Sequence, residues 1–250
     1  MTTSITVEIC VDSPRSALAA ARGRAHRLEL CSSLVEGGIT PSAGLIATVR
    51  SLVTMDLYVL IRARGGDFLY SEDEFAAMKR DIAIAKQLRA NGVVFGILDE
   101  HGELDLARCR ELLDCARPLS ATLHRAFDMS RNLERSLENA IALGFDRILT
   151  SGGEPNVEDA IPVVARLQEL ASNRMALMIG GGVHSSNAKA IVAQTGVREV
   201  HASARRVDPS AMLHRNEKLN LGILPGWEYQ HAVADEEEVR NLVRAATSTG

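Results

Sequence analysis

Cysteine, lysine and long apolar runs are all scarce in this 250-residue chain, and each scarcity excludes a class of protein. The four cysteines lie far apart and form no C-x-x-C pair, so we expect reduced thiols rather than a disulfide framework or a zinc ribbon. No apolar run approaches the roughly 18 residues of a membrane-spanning helix. The segment MTTSITVEICVDS also lacks the features of a signal peptide. We therefore expect a cytoplasmic protein with no membrane partner.

Positive charge is not in excess either. The 28 Lys and Arg residues against 32 Asp and Glu residues give a net charge of −4, so we expect no nucleic-acid partner. No G-x-G-x-x-G segment follows the first apolar run, as an open dinucleotide-binding sheet would require. The lysines all lie outside the predicted strands, which leaves a Schiff-base aldolase without its nucleophile.

What the chain does have is an alternation of short aliphatic runs with longer amphipathic ones. The repeat is about 30 residues, the length of a βα unit. The clearest helix is predicted over 72–90, where Phe75, Met78, Ile82 and Ala85 recur at the spacing of one helical face. The predicted strands are residues 5–11, 27–31, 56–64, 92–98, 120–128, 146–152, 175–181 and 199–204.

Eight such strands with seven helices between them favour a closed barrel over an open sheet. A closing helix is predicted near 235–246. We therefore predict an α/β protein made of a single (β/α)8 TIM barrel, one domain over residues 1–250. Residues 205–231 lack a clear period, and we expect a long loop there that covers one end of the barrel or contacts another subunit.

Polar residues of the predicted strands indicate where chemistry takes place. Side chains alternate inward and outward along a strand, and barrel sites lie at the carboxyl ends of the strands. Carboxylates and imidazoles on the inward face are candidates for proton transfer. Alternatively, the carboxylates and arginines form an internal ion-pair network and the histidines are hydrogen-bonded core residues. The candidate acid–base residues are Glu8, Glu29, His124, Asp128 and His201.

Arginines and glycines at the same ends suggest an anionic ligand. Arg62 and Arg64 share a face of the third predicted strand and offer bidentate donors for a carboxylate or phosphate. The glycine run 180–182, with Ser203 after the eighth strand, suits either phosphate binding through backbone N–H groups or a tight turn. The candidate ligand-binding residues are Arg62, Arg64, Arg125, Ser151, Gly181, Gly182 and Ser203.

Metal binding is a rival use of the same end of the barrel. Cys10 and Cys31 lie on neighbouring predicted strands and can approach within about 5 Å. Soft thiolates select Cu(I). Cys109 and Cys115 lie six residues apart on a predicted helix and point away from each other, as core thiols do. Cys10 and Cys31 are thus a candidate copper site, or else two small buried apolar residues.

Ordered segments along the chain form a recognisable set, including ICVDS (9–13), RLELC (27–31), LHRAFDM (123–129), DRILTSG (146–152) and GGGV (180–183). They resemble the CutC family, whose members are TIM barrels, usually dimeric, named copper homeostasis proteins. Ala63 and Ile179 stand where the family commonly has proline.

The resemblance implies a cytoplasmic homodimer that binds Cu(I), with Cys31 as the thiol for copper. It also marks a set of polar residues as an uncharacterised active site. That set is Glu8, Glu29, Arg62, Arg64, His124, Arg125, Asp128 and His201. Two functions stay open: a copper homeostasis protein, and a lyase, isomerase or hydrolase acting on a small anionic or sugar-like molecule.

Overall fold

The computed structural model describes residues 5–222 and 224–248. Eight parallel strands close into a barrel in this part of the chain, each paired with the next in sequence and the last paired with the first. The prediction of a (β/α)8 barrel is confirmed. The strands are β1 (Thr6–Val11), β2 (Arg27–Leu30), β3 (Asp56–Leu60), β4 (Gly92–Phe95), β5 (Ser120–Leu123), β6 (Arg147–Thr150), β7 (Ala176–Ile179) and β8 (Glu199–Ala202).

Eight α-helices surround this barrel within the described residues. They are α1 (Pro14–Arg22), α2 (Ala43–Leu52), α3 (Glu72–Gln87), α4 (Leu106–Ala116), α5 (Leu133–Leu143), α6 (Ile161–Ala171), α7 (Ala188–Thr195) and α8 (Glu236–Thr247). Local sequence sets their starts: Ser71 and Glu74 form a reciprocal capping box that satisfies two free N–H groups at the start of α3. None of the helices in residues 5–222 and 224–248 is long and apolar enough to cross a lipid bilayer.

The main apolar core lies between the barrel and its helices. Outward side chains such as Val7, Ile9, Leu28 and Leu57 are fully buried there, which accounts for the aliphatic character of the strands. The inward faces are much more polar, and their apolar part is a small separate cluster that includes Cys10, Cys31, Tyr58, Leu60 and Val94. The barrel interior therefore holds the ionisable residues.

Several strands are shorter than the sequence predicts. β3 ends at Leu60 and β5 at Leu123, so the polar residues predicted on their ends lie in the loops that follow. Residues 205–231 also differ from the expectation of a long irregular loop. They contain β9 (Arg205–Pro209), which pairs antiparallel with β10 (Gln230–Ala234). Of the described residues between these two strands, none belongs to a helix or a strand.

Candidate functional site

Four charged residues form a layer deep in the barrel, which we call the lower layer: Glu8, Arg27, Arg147 and Glu199. Arg27 bridges two carboxylates, with Nε 2.5 Å from Glu8 and Nη2 2.5 Å from Glu199, and Arg147 Nε lies 3.1 Å from Glu199. The register explains this layer, because Glu8 lies beside Arg27 on one side and beside His201 on the other. Burial alone would raise the pKa of Glu8, but the Arg27 charge and the contact with His201 lower it to about 2. Glu8 thus forms an internal ion pair, as the ion-pair alternative expects, and its predicted acid–base role stays a prediction.

Above this layer lie Cys10, Cys31, Glu29 and His201, which we call the thiol side. The Cys10 and Cys31 sulfurs are 3.6 Å apart. His201 Nδ1 lies 2.8 Å from Glu8, and its Nε2 lies 3.7 Å from Glu29. One ligand atom each from Cys10, Glu29 and His201 falls within 4.8 Å of the other two. The structure thus brings four predicted site residues together.

The protonation states of the residues on the thiol side are set by their burial and by the neighbouring charges. Burial would lower the pKa of His201, but the carboxylates of Glu29 and Glu8 and the contact with Cys10 raise it well above its usual range. Burial raises the pKa of Glu29 against the pull of the His201 charge. The hydrogen bond with Cys31, followed by burial, raises the pKa of the Cys10 thiol. At neutral pH the imidazole and the thiol therefore both carry protons, and a metal would have to displace them.

Across the cavity lie Arg62, Phe68 and His124, which we call the donor side. The Arg62 guanidinium donates to the carbonyl oxygens of Glu36, Gly38 and Gly66 at 2.7–2.8 Å. No carboxylate of the described residues lies within 4.0 Å of it. His124 Nδ1 accepts a hydrogen bond from the Ala126 N–H at 3.2 Å. Burial, with the Arg62 charge, lowers the pKa of His124 to about 3, so this imidazole is neutral.

A cavity of about 230 Å³ separates the thiol side from the donor side at the carboxyl ends of the strands. The two sides differ chemically, because one offers sulfur, carboxyl and imidazole groups and the other offers N–H donors. The cavity is lined by Cys10, Glu29, Leu34, Glu36, Gly37, Leu60, Arg62, Phe68, His124, Arg125, Leu149 and His201.

Asp128 and Ser151 do not line the cavity themselves, but both hydrogen-bond Arg125, which does. Asp128 accepts hydrogen bonds from Arg125 Nε at 2.7 Å, from Thr150 Oγ1 at 2.5 Å and from the Ser151 N–H at 3.0 Å. Ser151 Oγ in turn accepts from Arg125 Nη2 at 2.5 Å. Both oxygens of Asp128 thus anchor the loop after β6, and Asp128 holds Arg125 at the edge of the cavity.

Five predicted ligand-binding residues do not line this cavity: Arg64, Ser151, Gly181, Gly182 and Ser203. The expectation that Arg62 and Arg64 share one face fails because the chain leaves the sheet after Leu60. Arg64 instead forms ion pairs with Asp67 and Glu74 outside the barrel.

The glycine run packs tightly against the loop after β6. A Cβ on Gly181 would lie 3.1 Å from the Pro155 carbonyl oxygen and from the Ser151 Cβ, at a φ of +90°. The structure therefore supplies a packing reason for this glycine, while its predicted part in ligand binding stays a prediction.

Comparison with known proteins identifies the family. The model of the CutC family matches residues 5–206. The chain belongs to the CutC family. It is 45% identical to the copper homeostasis protein cutC homolog of Homo sapiens, over 94% of this chain and 87% of that protein. It is also 45% identical to a family protein CutC of Bacteroides thetaiotaomicron, over 96% of this chain and 98% of that protein.

Solved structures agree. The putative copper homeostasis protein CutC of Streptococcus agalactiae superimposes with a TM-score of 0.76 at 34% identity, covering 80% of this chain and 98% of that one. Phosphoribosylanthranilate isomerase of Thermotoga maritima superimposes with a TM-score of 0.57 at 13% identity, covering 97% and 98% of the two chains. The second likeness shows only that the two proteins share the barrel fold.

Two parts of the site in this CutC chain escape prediction from sequence. Arg27 and Glu199 belong to the lower layer, and their signal is the two-residue alternation, which places Arg27 on the same face as Glu29. Phe68 lines the cavity from the loop after β3, where no periodic pattern marks it.

Proposed function

We propose that this CutC protein acts in copper homeostasis by binding Cu(I) on the thiol side. The observation that supports this most is the 3.6 Å separation of the two buried sulfurs, one of which, that of Cys10, also lies within 4.8 Å of a ligand atom of His201. Thiolates and imidazole are ligands that copper prefers. Relatives with 44–45% identity carry the name copper homeostasis protein, which is why copper is the first metal to test.

The surroundings of His201 suit a metal ligand. A ligating histidine usually gives its second ring N–H to a carboxylate, which fixes the tautomer and aims the other nitrogen at the metal. Glu8, 2.8 Å from His201 Nδ1, is placed for that role and leaves Nε2 toward Glu29 and Cys10. Because Cu(I) would displace protons from Cys10 and His201, we expect its affinity to rise with pH.

The experiment is a Cu(I) titration of the reduced protein against a competing chelator. We expect one tightly bound equivalent, weakened by more than about 100-fold in Cys10→Ser and Cys31→Ser, because losing a ligand costs more than losing the group that orients one. Cys115→Ser is the matched control, since this half-buried thiol on α4 lies outside the thiol side. Equal affinity in all variants would rule out this site.

The cellular setting is part of the same proposal. We expect a cytoplasmic homodimer, on the resemblance to the family. Light scattering of the purified protein and fractionation of cells test these two expectations separately from copper binding.

A second candidate function is acid–base catalysis by a lyase, isomerase or hydrolase. The observation that favours it is the pair formed by Glu29 and His201 at the cavity wall, 3.7 Å apart and both with raised pKa values. Such a pair can pass a proton to or from a small anionic or sugar-like molecule.

The test of this candidate is turnover of a metabolite library followed by NMR. Enzyme chemistry predicts a reaction that Glu29→Gln abolishes and Cys31→Ser retains. A reaction that survives Glu29→Gln would contradict the assigned role of this carboxyl.

A further inference from the structure

The donor side contains a buried positive charge with no counterion in the described residues. The Arg62 side chain belongs to a residue that is 6% exposed, and its partners are three carbonyl oxygens. Its Nε has no hydrogen-bond partner there. The arginines of the lower layer are paired by contrast, since Arg27 and Arg147 both contact Glu199. A buried charge without a partner is costly, so an anion bound beside Arg62 would be strongly favoured.

His124 supplies a second unsatisfied donor on the same side. Its Nδ1 accepts from the Ala126 N–H, so in the neutral imidazole the proton is on Nε2. That Nε2 has no partner among the described residues, although His124 is only 5% exposed. Leaving such a donor unsatisfied costs stability, which a ligand that accepts its hydrogen bond would restore. The His124 ring lies 4.8 Å from the Phe68 ring, and the Arg62 guanidinium lies 5.1 Å from that same ring, so both donors flank one aromatic wall.

We propose that the donor side binds the oxyanion group, a carboxylate or a phosphate, of a small organic molecule, with Arg62 and the Nε2–H of His124 as its donors. The volume of about 230 Å³ is below the range of about 300–1,000 Å³ that holds drug-sized ligands. Apolar walls from Phe68, Leu60 and Leu149 favour an organic molecule over a bare ion. The remainder of the ligand would then face Glu29 and His201.

Conversion of the bound anion to a product rests on the second candidate function. Binding itself does not, since it is measurable without turnover. It is also independent of copper, because none of its donors is on the thiol side. The same cavity would therefore bring an organic anion within reach of the proton-transfer pair.

The experiment follows the ring nitrogens of His124 by ¹⁵N NMR in the metal-free protein. The probes are lactate, inorganic phosphate and the neutral amide of lactate. We expect a saturable shift of the His124 Nε2 signal with at least one of the two anions and none with the amide. Lactate alone would indicate a carboxylate ligand, and phosphate a phosphorylated one. No shift with either anion at high millimolar concentration would overturn the proposal, as would an equal shift with the amide.

Variants distinguish the loss of a hydrogen-bond donor to the anion from a general loss of folding. Arg62→Met should weaken binding of the anion about 10- to 100-fold, the loss of hydrogen bonds to a charged group. Arg64→Met is the matched control and should bind as the unmodified protein does, because Arg64 lies outside the cavity.

In case Arg62→Met folds poorly, His124→Asn keeps an acceptor for the Ala126 N–H but lacks the Nε2–H, and it too should bind weakly. Unchanged binding in His124→Asn would exclude the Nε2–H as a donor. Glu29→Gln should abolish turnover yet retain binding, which distinguishes failure of the catalytic candidate from failure of this one.

Discussion

The lower layer and the donor side both contain a buried arginine, but only in the lower layer is the arginine paired with carboxylates among the described residues. In the lower layer Arg27 lies 2.5 Å from each of two carboxylates, which in turn contact His201 and Arg147. On the donor side the Arg62 guanidinium reaches only carbonyl oxygens among the described residues. Completed pairing is typical of a structural network, whereas missing partners are typical of a site that receives one from a ligand.

The two histidines of the cavity repeat this contrast. His201 lies between Glu8 and Glu29, and their carboxylates hold its proton. His124 lies opposite, away from carboxylates and near Arg62, where burial and that positive charge keep it neutral. One cavity therefore presents an imidazolium on one side and a neutral imidazole on the other. Such a separation of pKa values is a common arrangement where proton transfer is needed.

The largest expected effect is on stability. Arg27→Met leaves the carboxylates of Glu8 and Glu199 without their shared partner, and we expect the free energy of unfolding to fall by about 3–5 kcal/mol. Arg62→Met removes three hydrogen bonds to carbonyls but leaves no carboxylate unpaired, so we expect a loss below about 2 kcal/mol. Urea unfolding measures both. Equal losses would show that Arg62 is as much a structural residue as Arg27.

The pH dependence of stability provides a smaller and independent test. His124 has a pKa of about 3 in the folded protein and 6.5 as a free side chain. Between these two pH values its imidazole is protonated in the unfolded chain but neutral in the folded protein. Its contribution to stability is therefore lost as the pH falls, by about 1.4 kcal/mol per unit. His201 has the opposite sign: its raised pKa contributes stability below pH 6.5 that is lost as the pH rises through the folded value.

Unfolding curves of the unmodified protein and His124→Asn are compared between pH 4.5 and 6.5. The difference between the two curves reports on His124, because other groups with shifted pKa values, such as His26 and Glu29, contribute to both curves. We expect the stability of the variant to depend less steeply on pH in this window. Parallel curves would mean that His124 titrates normally and that the two sides of the cavity do not differ in this way.

The sequence alone predicts the barrel and much of the thiol side. Alternating side chains place Glu8, Glu29 and His201 inside, whatever the detailed pairing. The pairing itself is set by strand register, and a slip of one residue would separate Cys10 from Glu29. The contact between the two sulfurs also depends on that register. Alternation along a single strand does not determine the register, so the sequence allows this contact but does not require it.

The donor side could not be assembled from sequence, because it depends on where strands stop. An extended third strand would place Arg62 and Arg64 on one face, but the loop after Leu60 sends Arg64 away and brings Phe68 in. The β9–β10 ribbon escapes sequence prediction for a related reason. Most side chains of β9 are at least partly exposed, so apolar alternation does not mark that strand.

Two tyrosines give the smallest and sharpest test of the same contrast. The Tyr58 hydroxyl accepts a hydrogen bond from Arg147 Nη1 at 3.0 Å, so Tyr58→Phe should lower the free energy of unfolding by about 1 kcal/mol. The Tyr70 hydroxyl is also buried, and it makes no hydrogen bond of good geometry among the described residues. Burial raises its pKa to about 12, opposed by the charge and the hydrogen-bonding reach of the nearby Arg62 guanidinium. Tyr70→Phe removes an unsatisfied polar group, so urea unfolding should detect no loss. A loss equal to that of Tyr58→Phe would mean that Tyr70 hydrogen-bonds Arg62, and the guanidinium would then need an anionic ligand less.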